Sequence, residues 1–230
     1  MRLKKIGLVG GISWTSTLKY YELLNLGINE RMGGLNSAEC IIYSLNFNDV
    51  QNKGWINSFD IILDACIKLE QNNIDYIVLC ANTAHLYLEK LRSKLRTPII
   101  DIIEATAKFI NTSNYTKIGL LGTKYTMGMN FYRNTLKRYG IEVLIPSKRE
   151  DIDEIQHIIK NELGKGIINK SSKKKLIHIS NNLIKKGANG IVLGCTELPL
   201  IIPKEGFSFP VFDTTEIHVN SIIDHILNLN

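Results

Sequence analysis

The residues best suited to chemistry are Cys195, Thr196 and Glu197, which directly follow the apolar run Gly190–Gly194. A cysteine at a strand-to-helix junction lies near a helix N-terminus, and the partial positive charge there can lower the pKa of the thiol. Thr196 adds a hydrogen-bonding hydroxyl, and Glu197 adds a carboxylate that can carry a proton. This pattern makes Cys195 a candidate functional thiol.

Three other strand-like runs also end in polar or glycine-containing segments. The run at 74–80 is followed by Ala81, Asn82 and Thr83. The run at 6–9 continues into Gly10, Gly11, Ile12 and Ser13, and the run at 117–122 continues into Thr123 and Thr126. Glycines at such positions let backbone N–H groups approach an anion at a helix N-terminus. Neither glycine turn matches a dinucleotide-binding or Walker motif.

An internal repeat relates these runs. The segment KIGLVG at 5–10 recurs as KIGLLG at 117–122, and Ile77-Val78-Leu79 recurs as Ile191-Val192-Leu193. The segment PIID at 98–101 recurs as PVFD at 210–213. The matches run in the same order at nearly one offset, which indicates a duplicated unit. Their register aligns Ala81 with Cys195.

Strand-like and helix-like runs alternate throughout the chain, so the sequence predicts an α/β fold with parallel sheets. We expect two pseudo-symmetric Rossmann-like subdomains, one at 1–97 plus 209–230 and the other at 98–208. Ligands of open α/β sheets bind at the carboxyl ends of the strands, so we expect the active site in the cleft between the halves. The first helix is predicted over 15–32, with Leu18, Tyr21, Leu24 and Ile28 on its apolar face.

Composition limits the function classes. The chain has 230 residues, a net charge of +6 and an apolar fraction of 44%, which is ordinary for a globular protein. Its lysines are scattered, so we expect no nucleic-acid partner. No apolar run is long enough to span a membrane, so we expect a soluble cytoplasmic protein. The four cysteines lack metal-ligand spacing, and the sequence shows no pyridoxal-phosphate lysine motif and no nucleotide-binding loop, so we expect no metal and no cofactor. The helical spacing of Cys66 indicates a core position.

The ordered motifs resemble those of the aspartate/glutamate racemases, which are amino-acid racemases that work without pyridoxal phosphate. The resemblance spans nearly the whole chain and looks strongest to the broad-specificity amino-acid racemase branch. It rests on four segments: Gly10-Gly11-Ile12-Ser13-Trp14, Asn82-Thr83-Ala84-His85, Leu121-Gly122-Thr123 with Thr126-Met127, and Gly194-Cys195-Thr196-Glu197.

The resemblance implies a mechanism in which one thiolate removes the α-proton and a second thiol reprotonates the opposite face. It implies that Cys195 is one acid/base and that Glu197 handles protons or supports the site. It also implies an amino-acid substrate, aspartate or glutamate first, and a homodimer. Carried over by position, the residues that contact the substrate carboxylate and amine are Ser13, Asn82, Thr83, Thr123, Thr126 and Thr196.

The sequence departs from the family pattern at Ala81, where the first cysteine would stand. Cys80 is one residue earlier, and adjacent strand side chains point to opposite faces, so we expect its thiol to point away from the cleft. Several interpretations stay open. Water or a hydroxyl could serve the second face, or Cys80 could substitute. The protein could be a single-thiol lyase or isomerase of a dicarboxylate, resembling arylmalonate decarboxylases and maleate isomerases. It could also bind acidic amino acids without turnover, and the alanine could be an engineered Cys-to-Ala change.

Overall fold

The computed structural model describes residues 3–113, 115–203 and 207–229. The chain divides into two compact units, one comprising Met1–Asp101 and His218–Asn230 and the other comprising Ile102–Ile217. Each unit contains a parallel four-stranded sheet with helices. The predicted α/β class is therefore confirmed.

The first unit contains strands β1 to β4, which pair in the order β2-β1-β3-β4. Central β1 is fully buried, as expected for a parallel strand covered on both faces. The strands are β1 (Ile6–Gly10), β2 (Cys40–Ser44), β3 (Tyr76–Leu79) and β4 (Ile99–Ile100). The helices are α1 (Trp14–Met32), α2 (Phe47–Lys53), α3 (Phe59–Glu70) and α4 (Leu88–Arg92), with 3-10 turns at Trp55–Asn57 and Thr83–Tyr87.

The second unit repeats this topology, with its strands in the order β6-β5-β7-β8. The strands are β5 (Lys117–Gly122), β6 (Glu142–Leu144), β7 (Gly190–Gly194) and β8 (Val211–Asp213). The helices are α5 (Ile102–Thr112), α6 (Lys124–Gly128), α7 (Asn130–Arg138), α8 (Arg149–His157), α9 (Lys170–Lys185) and α10 (Thr214–Ile226). A π-helical turn at Ile158–Glu162 and 3-10 turns at Leu163–Lys165 and Leu198–Leu200 complete the unit. The boundary between the units falls within α10.

The observed boundaries differ from the predicted ones at 97/98 and 208/209. β4 pairs with β3, so residues 99–100 complete the first sheet rather than beginning the second unit. β8 pairs with β7, so residues 211–213 complete the second sheet rather than returning to the first. The chain therefore passes to the other unit only after the fourth strand of each sheet, because that edge strand is the last strand of each repeat.

The buried face of α1 differs from the predicted one. Leu24 and Ile28 are buried, but Leu18 and Tyr21 are exposed, and Tyr20 is buried in their place. The cause lies at the start of the helix, where the short side chains Ser16 and Thr17 face the sheet. A Cβ on Gly10 would lie only 2.5 Å from Thr17 Cγ2, so the glycine permits this close approach. Within the described ranges, no helix is long and apolar enough to cross a membrane.

Candidate active site

The strand end after β7 brings Cys195 and Glu197 together. The Cys195 thiol donates a hydrogen bond to Glu197 Oε2 at 2.9 Å, and the Thr196 hydroxyl donates to the same oxygen at 3.0 Å. Relative exposure is only 7% for Cys195 and 8% for Glu197. A 3-10 turn follows, and its first residue Leu198 donates its N–H to the Cys195 carbonyl. The carboxylate is thus placed to accept a proton from the thiol.

Electrostatics at this strand end differ from the sequence expectation. Burial raises the pKa of the Cys195 thiol well above its ordinary value, and the negative charge of Glu197 raises it further. Backbone N–H groups of Glu197 and Thr196 act in the opposite direction but do not prevail. The predicted lowering toward a thiolate is therefore wrong, because only a three-residue 3-10 turn follows and a carboxylate lies against the sulfur. At neutral pH the resting Cys195 side chain is therefore a thiol.

The end of β5 lies beside the end of β7 in the same sheet. Gly122 pairs in register with Gly194, and a Cβ on Gly122 would lie 2.9 Å from the Gly194 carbonyl oxygen. Thr123 caps α6, since its hydroxyl accepts the Thr126 N–H at 3.2 Å. The two threonines predicted as substrate contacts therefore share one sheet edge with Cys195.

In the first unit, the glycine turn after β1 leads into α1. Gly11 has a φ of +78° and a Cβ there would lie 2.1 Å from the Leu45 carbonyl oxygen, so only glycine fits. Its N–H donates to Thr17 Oγ1 at 2.9 Å. Ser13 is the N-cap of α1, and its hydroxyl accepts the Ser16 N–H. The predicted anion-binding turn therefore has the form of a capped helix start.

The end of β3 separates Cys80 from its polar neighbours. Cys80 packs in the hydrophobic core with Ile6, Leu8 and Tyr20, and burial raises the pKa of its thiol. The Ser16 hydroxyl donates to the Cys80 carbonyl at 3.2 Å, which ties this strand end to the start of α1. Asn82 and Thr83, the predicted substrate contacts, follow it and are both buried.

A buried pair of histidines, His85 and His218, follows this strand end, and the sequence motifs did not predict the pair. The rings of His85 and His218 lie 6.0 Å apart. His85 Nδ1 contacts the Ala81 carbonyl at 3.0 Å, and its Nε2 lies 3.9 Å from Asp101 Oδ1. Burial lowers the pKa of His85. The one sequence signal for this buried histidine was the position of His85 just after the end of β3.

His218 holds the other side of the pair. Its Nδ1 shares a 2.8 Å hydrogen bond with the Tyr20 hydroxyl, and its Nε2 lies 3.0 Å from the Ile100 carbonyl oxygen. Burial lowers its pKa to about 3, so the ring is neutral at physiological pH. These bonds join α10, α1 and β4 within the first unit. Across the described ranges, His, Cys, Asp and Glu side chains form no group of three suited to hold a metal ion.

A model of Asp/Glu/hydantoin racemases matches residues 9–222. The chain belongs to this family. The Bacillus subtilis broad specificity amino-acid racemase RacX is 28% identical over 169 residues, covering 72% of this chain and 71% of that protein. The fold and family support an isomerase of the amino-acid racemase type.

Solved structures of this family have the same fold. A candidate Asp/Glu racemase from Yersinia pestis superposes with a TM-score of 0.89 at 38% identity, covering 98% of this chain and 100% of the other. An aspartate racemase homologue from Pyrococcus horikoshii gives 0.84 at 36% identity, with the same coverage. The predicted fold of α/β subdomains with parallel sheets is thereby confirmed. Within this racemase, the position aligned with Cys195 by the repeat is Ala81.

Proposed function

We propose that the chain inverts the α-carbon of an amino acid without a cofactor, with Cys195 as its acid and base. Aspartate and glutamate are the first candidate substrates, because the family name and the Pyrococcus relative refer to them. The observation that supports this most is the 2.9 Å contact from the Cys195 thiol to Glu197 Oε2. This contact offers the thiol proton a destination.

At rest the proton is on the Cys195 thiol, which lies against Glu197 Oε2. The Sγ–H proton passes to Glu197 Oε2, and the ammonium group of a bound amino acid favours the resulting thiolate. The thiolate then takes the α-proton, which leaves a carbanion. Hydrogen-bond donors around the α-carboxylate stabilise that carbanion. We assign this role to Ser13, Asn82, Thr83, Thr123, Thr126 and Thr196.

The second face of the substrate needs another proton donor, because the methyl group of Ala81 cannot supply one. We assign this step to water, which gives a proton to the carbanion and becomes hydroxide. Hydroxide then takes the proton held by Glu197, so that thiol, carboxylate and water are restored. This route is slower than one with two thiols, and it favours exchange on the Cys195 face.

Ala81 also favours a second candidate, a single-thiol lyase or isomerase acting on a dicarboxylate. In that case one face of the carbanion or enolate is served by Cys195 alone, and no second acid is required. Decarboxylation releases CO2, whereas racemisation conserves mass. A third candidate is a protein that binds acidic amino acids without turnover.

The deciding experiment is NMR of L- and D-aspartate and glutamate with the protein in D2O, followed by chiral chromatography. We expect deuterium at the α-carbon with slow inversion. Cys195→Ser should abolish exchange, whereas Cys66→Ala, which removes a core thiol on α3, should retain it. Full exchange by Cys195→Ser would overturn the proposal. Release of CO2 from a dicarboxylate would support the second candidate, and binding without exchange the third.

We also propose that the protein is a homodimer. The support is an exposed apolar stripe on α1, formed by Trp14, Leu18 and Tyr21, with relative exposures of 66%, 56% and 47%. These residues recur at helical spacing, so they share one face. Contiguous exposed apolar surface of this kind marks interaction sites.

A further inference from the structure

Thr215 and Cys195 follow the ends of two neighbouring strands of the second sheet. β8 pairs with β7 in a parallel register that matches Leu193 with Asp213. Cys195 and Thr215 each lie two residues beyond that pair, Cys195 directly after β7 and Thr215 in the first turn of α10. Parallel strands end at one edge of their sheet, so both residues emerge at the same edge of the same unit.

The backbone around Thr215 is fixed by hydrogen bonds. Asp213 Oδ1 accepts the N–H of Thr215 at 2.8 Å and the N–H of Glu216 at 3.4 Å, which caps the start of α10. The Thr214 hydroxyl donates to the Leu193 carbonyl at 2.8 Å. The position of Thr215 is therefore set by its neighbours, and its own hydroxyl is not needed for this.

The Thr215 hydroxyl is buried and makes no hydrogen bond to the residues that the structure describes. The residue is 3% exposed, and among the residues that the structure describes its Oγ1 has no hydrogen-bond partner. Burying a hydroxyl without a partner is unfavourable, and valine would fill the same space without that cost. A threonine here is explained if something outside the chain completes the hydrogen bond.

We propose that Thr215 is a substrate-binding residue whose hydroxyl donates a hydrogen bond to a carboxylate of the amino acid bound beside Cys195. A carboxylate fits because every amino acid carries one at its α-carbon, and a hydroxyl can donate a hydrogen bond to it. The inference rests on the proposed function, since that function supplies the ligand.

The test compares Thr215→Val, Thr215→Ser and, as a matched control, Thr214→Val. Thermal unfolding is measured with and without L- and D-aspartate and glutamate, and α-carbon exchange gives KM and kcat. We expect Thr215→Val to be at least as stable as the wild type without ligand. It should lose most of the ligand-induced rise in Tm and show a KM increased about tenfold, with kcat changed much less. Thr215→Ser should restore both.

The control separates a structural role from a binding role. Thr214→Val should lower Tm without ligand, because the Leu193 carbonyl loses its donor, while the ligand still raises Tm by the wild-type amount. An unchanged ligand response in Thr215→Val would overturn the inference and leave the proposed function intact. So would a loss of ligand-free stability as large as that of the control. A wild type with neither exchange nor ligand-induced stabilisation would overturn both.

Discussion

The Cys195 thiol donates its proton toward Glu197 Oε2 across 2.9 Å, and both side chains are more than nine-tenths buried. A buried carboxylate beside a thiol opposes the thiolate, so the resting enzyme holds the proton on sulfur. The same carboxylate is the nearest acceptor once a substrate ammonium group arrives. Glu197 therefore raises the pKa of Cys195 at rest and accepts its proton in the proposed reaction.

Replacing Glu197 with Gln tests this dual role. The substitution removes the negative charge that helps to raise the pKa of Cys195, so that pKa should fall, although burial still keeps it elevated. Exchange at the α-carbon should nevertheless drop by about 10² or more, because the proton acceptor is lost. Thiolate absorbance against pH measures the first effect, with Cys195→Ser as the blank. An unchanged pKa together with full exchange would contradict the assignment.

Replacing Ala81 with Cys should return a proton donor to the position aligned with Cys195. We expect inversion to rise at least tenfold relative to exchange, because a thiol transfers a proton faster than water does. Chiral chromatography and NMR in D2O measure the two rates on the same samples. Cys80→Ala is the matched control, since its thiol packs in the core: it should cost about 1 kcal/mol of stability and leave exchange unchanged. Lost exchange in Cys80→Ala would instead identify Cys80 as the second acid.

His218 makes stability depend on pH. Its pKa is about 3 in the folded protein and about 6.5 in an unfolded chain. Between these values the unfolded state binds the extra proton, so the free energy of unfolding falls as pH falls, by at most about 1.4 kcal/mol per pH unit from this residue. His85 contributes in the same direction, since burial lowers its pKa too.

Urea denaturation at several pH values checks this dependence. His218→Gln should flatten the slope relative to the wild type, because one of the two buried histidines no longer titrates. Tyr20→Phe retains the histidine and removes its hydroxyl partner, so it should keep the slope while costing roughly 1–3 kcal/mol. A slope that is equal in His218→Gln and the wild type would show that His218 does not carry it.

Much of this fold was predictable because parallel strands that are buried on both faces consist of short, continuous apolar runs. The repeat at 5–10 and 117–122 predicts β1 and β5, and the two sheets share one strand order. The ends of these apolar runs also indicated which polar segments lie at the carboxyl ends of the strands. A short apolar run identifies a buried strand by itself, because the residues of one run form one strand. The tertiary neighbours of the strand are not needed for this prediction.

Three features depend on tertiary contacts that the sequence does not display. The pKa of Cys195 depends on its burial and on the rotamer that brings Glu197 to the sulfur. The buried face of α1 depends on Gly10, which lets Thr17 approach the sheet, so helical periodicity alone selected the wrong side. The unit boundaries depend on which sheet accepts β4 and β8, and an edge strand can pair with either by its sequence.

Among the glycines that the structure describes, Gly11 leaves the least room for a side chain. A side chain there would combine a φ of +78° with overlap on the backbone of Leu45. We expect Gly11→Ala to cost more than about 3 kcal/mol or to prevent folding. Gly34→Ala is the matched control, because Gly34 has a φ of +60° but nothing within 4 Å of an added Cβ, and it should cost about 1 kcal/mol. Urea midpoints compare the two, and equal losses would show that the contact with Leu45 has no effect.

The exposed stripe of Trp14, Leu18 and Tyr21 predicts the oligomeric state. Burying a charge in an apolar interface is unfavourable, so Leu18→Glu should convert the proposed homodimer into a monomer. Leu26 is equally exposed on α1 but lies about 80° around the helix from Leu18, so Leu26→Glu should remain a dimer. Size-exclusion chromatography with light scattering measures both variants. A monomeric wild type would refute the dimer, whereas a dimeric Leu18→Glu protein would move the interface to another face.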